Sequence, residues 1–326
     1  MRIVFLGSGV FAEPTLRYLA GSEHEVPAVI TQPARASGRG RRRTRTPVAA
    51  IAEELGMEVV ECENVNAPEF VEQVRGLNAD LGLVIAFGQM LREDFLATVP
   101  GGYVNLHASL LPKYRGAAPI NWALVEGEER TGCTVFRIDQ GMDAGPILSS
   151  RWTAIKPDET AGELHDRLAG IGVDAVKAAL ALYAHDRRPE GTPQDHAEAT
   201  RAPKLKKSDG LISFDMPAHR VAGYVSGMTP WPGVGVRYEA DDGRWEQLQI
   251  IRARVAETPD VPDAPPGTID ERMYVAANDR YVELLEVKPS SKREMSWADY
   301  VNGRHVQAGD QLVSAGKSES QVNGTA

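Results

Sequence analysis

Over residues 1–188 short apolar runs alternate with helical patterns, and no other feature restricts the possible folds as much. Runs at residues 3–6, 26–30, 81–86, 104–106 and 134–138 read as strands. Between them lie amphipathic stretches. Residues 12–20 place Leu16 and Leu19 inward, a second helix opens at Pro68, and Thr160-Ala161-Gly162-Glu163 forms a capping box before Leu164, Leu168, Ile171, Val176, Leu180 and Tyr183. Strands that alternate with crossover helices predict an α/β domain with a mainly parallel sheet, Rossmann-like in kind.

The pattern changes after Arg188-Pro189-Glu190-Gly191-Thr192-Pro193, and residues 189–207 read as a linker. From residue 208 to about 311 the chain carries a short helix at 218–226 and β-like runs at 235–238, 248–255, 273–276 and 281–287. Asp241-Asp242-Gly243 is a hairpin-turn candidate. Several short strands within about 100 residues suggest a small OB-like β-barrel. Residues 312–326 are rich in Ser, Gly and Asn and read as a disordered tail. A chain of 326 residues is long enough for two such domains.

Composition narrows the class. Hydrophobic residues at 42% and charged residues at 25% suit a globular protein with ample core. Cys62 and Cys133 offer neither a disulfide framework nor metal-ligand spacing, so a reducing cytoplasm is the expected compartment. The chain enters a strand at once and no apolar run reaches about 18 residues, which leaves no signal peptide or membrane span to expect. A net charge of −9 would by itself argue against a nucleic-acid partner. Against that average, Arg35, Arg39, Arg41, Arg42, Arg43 and Arg45 crowd one acid-free loop containing Gly38 and Gly40. Such a run is either a solvated surface or a contact for a phosphate backbone.

Chemistry concentrates in residues 103–147. Asn105 and His107 alternate at a strand end, so period two points both side chains to one side. Asp143 follows in a glycine-flanked loop that could approach His107 closely. An amide donor, an imidazole and a carboxylate suit acyl transfer without a covalent enzyme intermediate. Asn105 can hold the carbonyl oxygen, His107 can stabilise its growing charge, and Asp143 can orient the imidazole and share its proton. A second motif, Gly7-Ser8-Gly9-Val10-Phe11-Ala12, imitates a dinucleotide fingerprint, yet Gln32-Pro33 stands where the ribose-binding acid is expected. A tight strand-to-helix turn and an NADP site are the two readings of it.

The order Asn105-x-His107, then Ser109-Leu110-Leu111-Pro112, then Asp143-x-Gly145 resembles the 10-formyltetrahydrofolate-dependent formyltransferases. The resemblance spans residues 2–308. It implies that Asn105, His107 and Asp143 are catalytic, and that Phe87, Gly88, Gln89, Met90 and Leu91, with Ser109, Leu110, Leu111 and Pro112, hold the folate donor. It also implies a cis bond before Pro112. The arginine loop matches the basic loop that members acting on methionyl initiator tRNA insert toward the acceptor stem. Lys204 and Lys206 match their basic connecting segment. The expected reaction is therefore formyl transfer to the α-amino group of methionine on charged initiator tRNA. Folate is the second partner, no metal or membrane is implied, and a monomer is expected. Rival readings are a sugar-nucleotide amine formyltransferase with the same trio, a formyltetrahydrofolate hydrolase, and a noncatalytic RNA-binding relative.

Overall fold

A computed structural model describes residues 1–37 and 42–315, and the chain divides into two compact units. The first comprises residues 1–116, 130–153 and 165–201; the second comprises 117–129, 154–164 and the chain from 202 onward.

The first unit is built on a seven-stranded sheet. Its spatial order is Ile147–Ala154, Arg130–Arg137, Tyr103–His107, Leu81–Ile85, Ile3–Gly7, Val29–Thr31, Val59–Glu61. The five strands from Tyr103–His107 to Val59–Glu61 pair in parallel, and Arg130–Arg137 runs antiparallel to Tyr103–His107. Central strands covered on both faces are apolar throughout, and Ile3–Gly7 and Leu81–Ile85 are buried at every position. Val4, Leu6, Phe70, Phe95 and Tyr103 belong to one core cluster. Burying a side chain such as Phe95 contributes about 1.5–3 kcal/mol. Gly82 permits this packing, because a Cβ there would lie 2.1 Å from the Tyr103 ring.

Two strands of this sheet, Val59–Glu61 and Ile147–Ala154, have no counterpart in the sequence reading. Both occupy sheet edges and are only partly buried, so neither presents a clean apolar run. The second strand begins at Val29, later than the apolar run at 26 suggests. The capping box forms as read: Thr160 N–H donates to Glu163 Oε2 at 2.9 Å, and Glu163 N–H to Thr160 Oγ1 at 3.3 Å.

The second unit contains a nearly closed antiparallel barrel in the order Val275–Ala276, Tyr281–Pro289, Trp245–Val255, Val234–Glu239, Gln311–Ser314. Residues 267–269 bridge the two ends, with Ile269 opposite Val275 and Thr268 opposite Gln311. Gly267 makes the closure possible: its φ is +93°, and a Cβ would sit 2.4 Å from the Leu312 carbonyl. Asp241-Asp242-Gly243 turns the hairpin between Val234–Glu239 and Trp245–Val255 as expected. The helix Ala218–Met228 packs with Val236, Ile250 and Val282 in one core cluster.

The sequence boundaries at 188 and 208 run along the chain, whereas the packing is discontinuous. Helix Pro119–Val125 joins the second unit because Gly223 and Gly227 let Ala218–Met228 approach its carbonyls, and Asn121 Nδ2 donates to Gly227 O at 2.7 Å. Residues 312–314, read as part of the tail, are paired in the barrel. Gln311–Ser314 is a strand with Leu312 buried, while residues 316–326 lie outside the described residues. Among the described residues no helix is long and apolar enough to cross a membrane.

Candidate active site

The strand Tyr103–His107 carries Asn105, half-buried, and His107, 6% exposed, to the same side. Beyond it the chain makes a tight polar knot. Ser109 Oγ donates to Lys113 O at 2.7 Å, Thr134 Oγ1 donates to Ser109 O at 2.7 Å, and Leu111 N–H donates to Thr134 Oγ1 at 3.2 Å. The Leu111–Pro112 bond is cis, as the resemblance implies. Tyr114 has a φ of +59°, and its carbonyl lies 2.8 Å from His107 Nε2. Two residues on, Gly116 N–H donates to Asp143 Oδ2 at 2.8 Å. That same carboxylate oxygen is 3.8 Å from His107 Nδ1.

This geometry fixes the proton inventory of the imidazole. A main-chain carbonyl only accepts, so Nε2 carries a hydrogen and donates to Tyr114 O. Nδ1 is the nitrogen left to gain or lose a proton, and it faces Asp143. The 3.8 Å gap exceeds a direct hydrogen bond, and a small approach of the loop or one water would close it. Among the described residues the Asn105 side-chain amide has no hydrogen-bond partner, which leaves its N–H groups available for a substrate oxygen.

The glycines of the Asp143 loop act differently from the expectation. Gly145 is needed where the loop folds back on its own strand, since a Cβ there would lie 1.8 Å from Arg137 O. Asp143 itself adopts a φ of +50°. The approach to His107 is set by that backbone angle and by the Gly116 N–H.

The proposed folate residues divide by side chain. Phe87 and Leu91 point into the Val4–Leu6–Phe70 cluster, Ser109 is fully buried and shapes its own turn, and Leu111 is buried. Gln89 braces main chain, accepting from Val65 N–H at 3.2 Å and donating to Cys62 O at 3.1 Å. Met90 is 73% exposed whereas Leu91 is buried, so these neighbouring side chains face opposite environments. Gly88, Met90, Leu110 and Pro112 remain accessible.

The dinucleotide-like turn is a structural turn. Its amides are engaged: Ser8 N–H and Gly9 N–H both donate to Ala86 O, at 3.2 and 3.3 Å. Gln32, at the position of the missing ribose acid, donates through Nε2 to Phe87 O at 2.7 Å and braces the turn at Gly88.

The arginine loop begins as an antiparallel hairpin in which Arg35–Ser37 pairs with Arg42–Thr44. Arg39 and Arg41 lie outside the described residues. Arg35 and Arg43 are exposed and line an open depression of about 510 Å³ with Pro33, Ala34 and Glu63. Arg45 forms an ion pair with Glu53, so it is less free than the sequence suggests. Lys204 and Lys206 are exposed in the second unit.

Sequence reasoning missed the Tyr114 carbonyl, the Gly116 amide, Gln194 and Thr200. The first two are main-chain groups with no side-chain signal. Gln194 donates to both Asp143 O and Gly145 O, and Tyr114 N–H donates to Thr200 Oγ1, from a stretch whose Pro and Gly content reads as a linker.

Comparison with known proteins shows the family. The chain matches the formyl transferase family over residues 1–180 and the formyl transferase C-terminal domain over residues 204–305. It is 41% identical over 315 residues to the methionyl-tRNA formyltransferase of Solibacter usitatus, covering 96% of this chain and 98% of that relative. Identity to the methionyl-tRNA formyltransferase of Geotalea daltonii is 40% over 312 residues, covering 96% and 98% respectively. The solved structure of WlaRD, a sugar 3N-formyl transferase crystallised with dTDP and 5-N-formyl-THF, superposes with a TM-score of 0.63 at 15% identity, covering 90% of this chain and 99% of that one. HypX from Aquifex aeolicus in complex with tetrahydrofolic acid gives a TM-score of 0.58 at 15% identity over 92% of this chain. This chain spans about half of HypX, covering 47% of it. At such identities these two structures speak for the fold.

Proposed function

This chain belongs to the methionyl-tRNA formyltransferase family, and from that premise we infer that it transfers the formyl group of 10-formyltetrahydrofolate to the α-amino group of methionine on initiator tRNA. The product serves translation initiation. The observation that carries the mechanism is the placement of Asn105 and His107 on one side of a strand, with Asp143 Oδ2 3.8 Å from His107 Nδ1.

Attack of the neutral amine on the formyl carbon moves negative charge to the formyl oxygen and positive charge to nitrogen. The Asn105 amide, which has no hydrogen-bond partner among the described residues, is the donor for the oxygen. His107 is held by Tyr114 O through Nε2, so only Nδ1 reaches the reacting group, with Asp143 beside it to balance an imidazolium. Asp143, fixed by the Gly116 N–H, accepts the amine proton directly or through one water; as the tetrahedral intermediate collapses, the bond from the formyl carbon to N10 breaks and that proton passes to N10 of the departing tetrahydrofolate. Each preorganised oxyanion donor contributes typically about 10²–10³ in rate. Holding amine and formyl donor together supplies much of the remainder.

The folate donor is held by Gly88, Met90, Leu110 and Pro112, the accessible members of the expected set, where main chain and the exposed Met90 side chain can meet a pterin ring. Arg35, Arg39, Arg41, Arg42, Arg43 and Arg45 track phosphates of the acceptor stem, and Lys204 and Lys206 add charge along the tRNA path. The deciding experiment offers labelled formyl donor with either methionyl initiator tRNA or an aminosugar nucleotide. Label on the methionyl ester is expected. Label on the sugar amine, with none on tRNA, would overturn the acceptor.

A further inference from the structure

Residues 192–200 do not behave as a linker. Thr192 pairs with Ile147 through two main-chain hydrogen bonds of 2.7 and 2.8 Å, which pins the segment against the first unit's sheet. Two residues later Gln194 is 7% exposed and its amide is fully used. Nε2 donates to Asp143 O at 2.9 Å and to Gly145 O at 2.7 Å, while Oε1 accepts from Arg115 Nε at 3.1 Å and Nη2 at 2.6 Å. Arg115 Nη2 also lies 3.2 Å from His196 Nδ1. At the far end, Thr200 Oγ1 accepts from Tyr114 N–H at 2.8 Å and Thr200 O accepts from Arg115 N–H at 2.9 Å.

These contacts converge on the two partners of the imidazole. Gln194 grips the backbone on which Asp143 is mounted, and Thr200 fixes Tyr114, whose carbonyl receives His107 Nε2–H. Both Asp143 and Tyr114 have positive φ, a conformation that L side chains rarely adopt and that neighbouring contacts help to hold. We propose that residues 192–200 form a positioning strap, with Gln194 and Thr200 as positioning residues that set the spacing between His107 and Asp143. Neither touches the reacting atoms. A glutamine suits the first task because a primary amide supplies two donors and one acceptor at a single buried point. This inference rests on the reading of His107 and Asp143 as the reacting pair.

The test uses the full chain with Gln194→Met, which keeps length and bulk but removes every polar contact, and Thr200→Val, which keeps shape but removes the hydroxyl. Single-turnover formyl transfer, KM for both substrates and thermal melting are measured together. Displacing a catalytic group by about 1 Å can cost about 10²-fold, so Gln194→Met is expected to lower kcat roughly 10–100-fold with both KM values unchanged. Thr200→Val is expected to lower kcat less, and Thr200→Ser, which restores the hydroxyl, to recover it. The decisive arm is the double variant with Asp143→Ala. A residue that acts only through Asp143 has nothing left to position, so Gln194→Met then changes the residual rate less than threefold.

An equal fold-loss in both backgrounds, or a Gln194→Met enzyme within threefold of the parent, overturns the strap. If Gln194→Met does not fold, the Thr200→Val and Thr200→Ser pair decides, and equal kcat values for those two overturn the proposal. Asp143→Ala with full activity would instead overturn the reading of the reacting pair, whatever Gln194 does.

Discussion

The His107 site and the arginine hairpin place charge under opposite physical rules. His107 and Gln194 are buried, and the ring and the amide are held by main-chain groups. Arg35 and Arg43 stand exposed on a two-stranded hairpin, and Arg45 meets Glu53 in an exposed pair. Proton transfer and oxyanion binding depend on angle and distance, so the donors must be fixed before the substrate arrives. Phosphate recognition draws on released counterions and needs charge density within reach, not a fixed pose. Each region holds its charge as its proposed task requires, buried and hydrogen-bonded at His107 and exposed at Arg35 and Arg43.

The largest effects should come from the buried region and leave the other untouched. Asp143→Asn keeps the carboxylate's shape but loses its charge, and His107→Ala removes the imidazole. Each is expected to lower kcat by about 10²–10³, roughly 3–4 kcal/mol, with tRNA affinity within twofold of the parent. Filter binding beside steady-state kinetics checks this, and parallel losses of affinity would show that the two regions are not separable. Gly145→Ala attacks the same region through the backbone. A Cβ there would lie 1.8 Å from Arg137 O, so the loop carrying Asp143 must move. We expect kcat to fall by about 10–100-fold. The melting temperature should also drop, in line with about 1–3 kcal/mol for overpacking.

How much of this was legible in the sequence follows from what each group is. The parallel core could be read because Ile3–Gly7 and Leu81–Ile85 are apolar at nearly every position, as strands buried on both faces must be. The proposed trio could be read because Asn105 and His107 would act through side chains at strand spacing. The edge strands Val59–Glu61 and Ile147–Ala154 could not, since half-solvated strands need no apolar run. The groups that hold the trio were hidden for another reason. Tyr114 contributes a carbonyl and Gly116 an amide, and any residue could supply either if the backbone turned the same way. Gln194 and Thr200 have side-chain roles, but the neighbouring Pro189, Gly191 and Pro193 gave their segment the texture of a linker.

The hairpin should give a smaller and differently shaped response. Arg43→Ala is expected to raise KM for tRNA several-fold while changing kcat less than about threefold. Its signature is the slope of log affinity against log salt, which should become shallower by about 0.9 for one lost duplex-phosphate contact. Arg45→Ala should do less, because that guanidinium leaves Glu53 before it can meet a phosphate. An exposed pair of this kind is worth about 0–1 kcal/mol, so the protein's melting temperature should hardly move. A large loss of kcat in Arg43→Ala at saturating tRNA would break the comparison, since it would give the hairpin a part in aligning the amine.

The smallest effect tests whether surface charge pairs contribute to the fold at all. Hydrogen bonds from Arg252, with help from the Thr160 N–H, hold Glu163 down to about 2, well below the ordinary glutamate value of 4.5. The sign follows from linkage. A carboxylate with a lower pKa in the folded than in the unfolded state contributes stability that is fully present above the unfolded value. That contribution is lost as pH falls through the folded one. The window is therefore pH 4.5 down to about 2. Because the Glu163 side chain is 51% exposed, solvent screens the pair and the contribution is about 1 kcal/mol or less. Glu163→Gln cannot lose a charge on acidification. Denaturant unfolding should find the parent more stable than Glu163→Gln by about this amount at pH 7, with the difference shrinking below pH 4.5 and gone near pH 2. A difference that stays constant with pH would trace to the capping geometry at Thr160 and not to charge. A difference well above 1 kcal/mol at pH 7 would show that exposed pairs in this protein hold the fold as well as line its surface. The arginine hairpin would then need re-examination as a structural element.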